Sequence, residues 1–142
     1  MVKELNVFVD NKPGRLKAVT GLLAEKNINI RALTVQDRED FGLMKLIVDK
    51  PDEAALSISD NGFACAVKNI LAIQIADRPG GLNKLFGILA ESSINVKDSY
   101  AFVVVSGKFA VLCIEVENIE KVKELLKNTE FKLLDDTDLY NI

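Results

Sequence analysis

A chain of 142 residues fits one ordinary domain or two very small ones, and at 49% hydrophobic residues it can bury a core. Lys and Arg number 18 against 21 Asp and Glu, a net charge of -3 with no basic run, so there is no surface for neutralising phosphates and no nucleic-acid partner is expected. Histidine is absent, which removes the most adaptable general base near neutral pH and the commonest metal ligand.

The N-terminal "MVKELNVFVD" reaches charge at once and does not read as a signal peptide. Alternation at Leu5, Val7 and Val9 predicts a strand over "ELNVFV". A polar loop, "DNKPG", follows; Pro13 suits a first helical turn, and the Asn11 side chain is expected to cap it. Leu16, Val19 and Leu23 form one helical stripe that ends near "EKN". Then come a strand ("INIRALTVQ"), a turn ("DREDFG"), a strand ("LMKLIVD"), a helix ("PDEAALSISD") and a strand ("FACAVK"). Near Lys68-Asn69 the series begins again. Leu71, Ile73 and Ile75 alternate in "ILAIQI", Asp77 and Pro79 stand at the loop, and Leu82, Leu85 and Leu89 repeat the stripe up to "ESS". The remainder reads as strand ("INVKDSYAFVVV"), turn ("SG"), strand ("KFAVLCIEV"), helix ("NIEKVKELLKN") and strand ("EFKLLDD").

The two series are copies. Segments 11–30 and 77–96, 66 positions apart, share nine identities in twenty, among them Pro13/Pro79, Gly14/Gly80, Leu16/Leu82, Ile28/Ile94 and Asn29/Asn95. Two domains, 1–68 and 69–142, are therefore expected, joined rigidly because no Gly/Ser linker separates them. The order β-α-β-β-α-β, twice, predicts an α+β fold. Each unit would be ferredoxin-like, with two helices on one face of a four-stranded antiparallel sheet. "YAFVVV" and "FAVLCI" barely alternate, so the second face or edge of the second copy should be covered by the other copy or by another chain. Cys65 and Cys113 lie far apart in apolar runs and are expected to be buried, inert thiols. No metal site, cofactor or membrane span is expected, and the setting is read as a reducing cytoplasm.

The repeated loop carries the candidate chemistry. Gly14-Arg15-Leu16 and Gly80-Gly81-Leu82 present backbone N–H groups at a helix start, where the first amides lack intrahelical partners and the helix dipole is positive. A carboxylate fits such a place, and glycine lets it approach the backbone. Asn11 or Asp77 could accept from an ammonium group, so a small zwitterion would be met at both ends. Asn29 and Asn95 open the following strand and offer both donor and acceptor. A helix about 20 Å long separates each from its own loop. If the two sheets pack side by side, Asn29 would instead face Asp77 of the other repeat, and Asn95 would face Asn11. Plain structural roles, a turn and a helix cap, compete with this reading.

The pattern "D/N-x-P-G-x-L", a helix, then "x-I-N-I/V", standing as "NKPGRL…NINI" and "DRPGGL…SINV", resembles the ACT domain, an amino-acid-sensing module of biosynthetic enzymes and regulators. The resemblance covers nearly the whole chain as two tandem copies. It implies sheets paired side by side and an amino acid held between the Pro-Gly loop of one domain and the Asn-led strand of the other. On this sequence that would set Asn11, Gly14, Arg15 and Leu16 against Asn95 and Val96. It would set Asp77, Gly80, Gly81 and Leu82 against Asn29 and Ile30. The replacement of Asn11 by Asp77 and of Arg15 by Gly81 makes the two sites unequal, so one could bind while the other is degenerate. ACT domains are mostly attached to a catalytic domain, and none fits within this chain. The expected function is thus non-catalytic: a homodimeric regulator that binds a free amino acid, neutral or aromatic, and signals to an enzyme of amino-acid metabolism. The competing reading is a structural oligomerisation module with vestigial sites. An acylphosphatase-like enzyme fits poorly, since "DRPGGL" places its only Arg before the Pro.

Overall fold

Alternation at Leu5, Val7 and Val9 produces the first strand, β1 (Val2–Val9), and buries all three side chains. The computed structural model describes every residue, Met1–Ile142. They form two units, Lys3–Lys68 and Asn69–Ile142 with Met1–Val2. In the first, β1 leads to α1 (Arg15–Glu25), β2 (Ile30–Asp37), β3 (Gly42–Val48), α2 (Pro51–Asp60) and the start of β4 (Ala64–Ala76). The second takes the rest of β4, then α3 (Gly81–Glu91), β5 (Val96–Val105), β6 (Phe109–Val116), α4 (Ile119–Leu126), β7 (Lys132–Leu134) and α5 (Asp136–Tyr140). Strand order is β2-β3-β1-β4 in the first unit. In the second it is β5-β6-β4-β7, with every pair antiparallel. Both are the ferredoxin-like arrangement, and in each the strand after the first helix, β2 or β5, is an edge.

Three local features depart from the sequence expectation. The separate strands expected over 63–68 and 70–75 are one continuous strand, β4, because no Gly or Pro interrupts the run of residues between them. The final strand stops at Leu134, because Asp135 turns to cap α5. Its side chain accepts from Asp138 N while the Asp138 side chain accepts from Asp135 N, a reciprocal capping box. That short helix buries Leu139 and was not anticipated.

The end of the first helix in each unit explains part of the repeated motif. Asn27 and Ser93 take φ of 53° and 56°, and the next amide reaches back five residues: Ile28 N donates to Leu23 O, and Ile94 N to Leu89 O, each at 2.9 Å. This is a left-handed helix end with its accompanying apolar contact. Ile28 joins a core with Leu5, Val7, Leu23, Met44 and Ile58; Ile94 packs against one built on Ile73, Leu85, Leu89, Leu112 and Val122. The expected stripes are thus only two-thirds core. Val19, Leu23, Leu85 and Leu89 are buried, but Leu16 and Leu82 are each 41% exposed.

On the sheet face away from its helices the first unit buries Glu4, Asn6 and Lys45. Asn6 Nδ2 donates to Glu4 Oε1 at 2.8 Å. Removing a donor from a buried carboxylate is costly, so Asn6→Ala should lower stability by about 2–3 kcal/mol in urea unfolding. In the second unit every residue of β6 from Ala110 to Ile114 is buried, as the weak alternation required. The expectation does not extend to β5, which alternates and leaves Val103 and Val105 exposed. Cys113 is buried as expected, whereas Cys65 is only half-buried; even so, partial burial pushes its thiol up, which keeps it protonated. No helix is long and apolar enough to cross a membrane.

Candidate functional site

In the first unit the chain leaves β1 at Val9 and turns sharply before α1. Lys12 N donates to Asp10 O at 2.8 Å and Arg15 N to Lys12 O at 3.4 Å. Gly14 then occupies the helix cap with φ 86°, a conformation that disfavours any residue with a Cβ. The expectation that Asn11 caps the helix is not met: α1 has no side-chain cap, and Pro13 lies in the turn rather than the helix. Asn11 Nδ2 instead donates to Asp37 Oδ1 at 3.1 Å, across to the end of β2. That oxygen also accepts from Glu39 N at 2.9 Å. The first helical bond at the cap is Ala18 N to Gly14 O, which leaves the Leu16 and Lys17 amides ahead of it open to an outside acceptor. A cavity of about 330 Å³ lies between this loop and the edge strand, bounded by Asn11, Pro13, Arg15 and Leu16 on one side and Val35, Gln36 and Asp37 on the other. Arg15 Nη2 sits 3.5 Å from Asp10 Oδ2, a loose and exposed pairing.

The second loop repeats the geometry with other side chains. Gly80 has the same φ of 86°, and again no side chain caps the helix, so Asp77 and Pro79 depart from expectation as Asn11 and Pro13 do. Asp77 is held to the β5–β6 turn: its N–H donates to Lys108 O at 3.1 Å and its Oδ2 accepts from Gly107 N at 2.7 Å. Gly81 packs against the strand end, where an added Cβ would lie 2.4 Å from Ala76 O. The Leu82 and Asn83 amides precede the first helical bond, Lys84 N to Gly80 O. The cavity beside this loop is about 500 Å³, lined by Asp77, Pro79, Gly80 and Leu82 and by Ala101, Phe102 and Val103 of the edge strand.

Each loop thus gathers Asn11, Arg15 and Leu16, or Asp77, Gly80 and Leu82, at a cavity. Gly14 and Gly81 shape these loops from behind. Asn29 and Ile30 are not brought to the loop of their own unit. α1 has eleven residues, about 16 Å of helix, and they lie beyond its far end. Asn29 is tied there by its backbone, which donates to Asp49 Oδ1 and accepts from Asp49 N. Asn95 lines a separate cavity with Lys97, Glu117 and Lys121, and Val96 begins β5 beside it. The residues that sequence reasoning missed are the inner walls, 35–37 and 101–103. The same 66-residue offset that aligned the loops aligns these too.

A family model described as an ACT domain pair matches residues 1–142. Among solved structures, protein BT0572 from Bacteroides thetaiotaomicron is 35% identical with a TM-score of 0.92, over 99% of this chain and 96% of that one. The regulatory subunits of aspartate kinase from Thermus thermophilus and Thermus flavus share the fold. Their TM-scores are 0.66 and 0.61 at 17% and 15% identity; each match covers 89% of this chain, and 91% and 90% of theirs. No curated protein matches the chain. The duplicated βαββαβ units, the glycine-capped loops and the full-length match place this chain in the ACT domain family, as a tandem pair.

Proposed function

We propose that this chain is a non-catalytic regulator that binds a free amino acid at its Pro-Gly loops. The observation that carries the reading is that, at both loops, open helix-start amides share a cavity with a carboxylate: Leu16 and Lys17 with Asp37 of the wall, Leu82 and Asn83 with Asp77 of the loop. The amides suit an α-carboxylate, and the side-chain oxygens, with that of Asn11, suit an α-ammonium. Since the helix keeps Asn29 and Asn95 from the loops of their own units, the strand that closes each cavity belongs to a different ACT unit. Asn95-Val96 would complete the loop of Asn11, Gly14, Arg15 and Leu16. Asn29-Ile30 would complete that of Asp77, Gly80, Gly81 and Leu82. A ligand shared by two units favours one arrangement of them, and a partner enzyme of amino-acid metabolism in the cytoplasm reads the difference. The aspartate kinase subunits, regulatory by name, support the analogy.

Isothermal titration of ligand-free protein against the twenty amino acids tests this reading. Saturable binding of a neutral or aromatic amino acid is expected, and silence for all of them rejects it. A second reading, an assembly module with vestigial sites, draws on the exposed Leu33 and Val35 of edge strand β2. It predicts a homodimer whose size and stability ignore amino acids, whereas the regulatory reading predicts a dimer that responds to them.

A further inference from the structure

The two loop cavities use equivalent positions and different chemistry. Cross-strand register fixes the equivalence: Asp37 pairs with Gly42, which pairs with Val9, while Val103 pairs with Ala110, which pairs with Ile75. The inner wall is therefore Val35-Gln36-Asp37 in the first unit and Ala101-Phe102-Val103 in the second. Both loops bring a carboxylate to their cavity, Asp10 beside Arg15 in the first and Asp77 in the second, but only the first has one on the strand as well. In the first cavity that strand carboxylate is Asp37, which accepts from Asn11 Nδ2; in the second the strand opposite Asp77 is apolar. Val103 is 56% exposed, and Leu82 faces the same cavity from the helix start. With Gly81 in place of Arg15 and Ala101 in place of Val35, the second cavity is also larger, at about 500 Å³ against about 330 Å³.

Building on the function proposed above, we infer that the second unit's cavity selects a free amino acid with an aliphatic side chain, that the first excludes it, and that position 103 sets the difference. The ligand's ammonium meets the Asp77 carboxylate, whose Oδ2 is steadied by Gly107 N. Its carboxylate meets the Leu82 and Asn83 amides, and its side chain covers Val103 and Leu82, removing apolar surface from water on both partners. In the first cavity the strand position of Val103 is held by Asp37, so an aliphatic side chain finds no apolar strand wall there and gains nothing by leaving water.

Calorimetric titration of the full chain with L-leucine, L-valine, L-serine, L-asparagine and L-glutamate tests the inference. Leucine or valine is expected to bind once per chain, at least tenfold tighter than the three polar amino acids. Val103→Asp should weaken that binding at least tenfold with an unchanged thermal midpoint, because the side chain is exposed. Leu56→Asp, at a residue 66% exposed on α2 and outside both cavities, should stay within twofold. Two equal aliphatic sites per chain, equal or tighter binding of a polar amino acid, or an indifferent Val103→Asp would overturn the selectivity while the regulatory reading stands. Silence for these five alone would overturn the selectivity, and silence for all twenty amino acids would overturn both.

Discussion

Gly81→Ala is expected to destabilise the second unit by about 1–3 kcal/mol and to abolish binding at its loop cavity. The cause is steric. Gly81 does not have a left-handed backbone, but its Cβ would lie 2.4 Å from Ala76 O, a main-chain atom at the end of β4 that no rotamer change can move away. Either the strand end or the start of α3 must shift, and the Leu82 and Asn83 amides shift with it. Gly80→Ala acts through a different cause: nothing lies near its Cβ, but φ of 86° costs a residue with a side chain about 1 kcal/mol. Arg15, the counterpart of Gly81, is half-exposed at the cavity edge and held only by a loose ion pair, so Arg15→Ala should stay within about 0.5 kcal/mol of the parent. Urea unfolding of the three variants ranks them. If Gly81→Ala matches the parent, the close approach of loop and strand is not a constraint on the fold.

The contrast shows how much of the site was legible. Duplication in the sequence located both loops, both helix starts and both Asn-led strand openings, because those features recur as identities. It also suggested that the loops are unequal. What it could not supply was the direction of side chains. Asn11 and Asp77 have the residue types of helix caps, yet the glycine at the cap carries the chain away from them. Each turns to a different partner, Asp37 or the Gly107 amide. Those partners lie 26 and 30 residues away in sequence, so local rules had no access to them. The inner walls were missed for a related reason. Residues 35–37 and 101–103 differ between the copies, and a search for identities passes over positions where the chemistry diverges. Burial of Glu4, Asn6 and Lys45 went unread because a polar residue alternating with apolar ones in a strand looks solvated.

The helical stripes separate core from cavity, and substitution should divide them the same way. Leu23→Ala and Leu89→Ala each remove a buried side chain against which the helix-closing Ile28 or Ile94 packs, and each should cost about 2–5 kcal/mol. Leu16→Ala and Leu82→Ala, each two turns earlier on the same stripe, should each cost under about 1 kcal/mol, because each residue is already 41% exposed. Periodicity treats the four leucines alike. What separates them is place: Leu16 and Leu82 stand in the first turn, where the helix has only just left the loop and faces a cavity instead of the sheet. An apolar side chain kept half exposed at equivalent positions of both units gains little by folding, and is explained if it covers a ligand. Leu82→Ala should therefore weaken amino-acid binding several-fold at nearly parental stability, while Leu89→Ala lowers the unfolding midpoint. If Leu82→Ala destabilises the protein as much as Leu89→Ala does, Leu82 belongs to the core, and the wall assigned to it in the second cavity is not a binding surface.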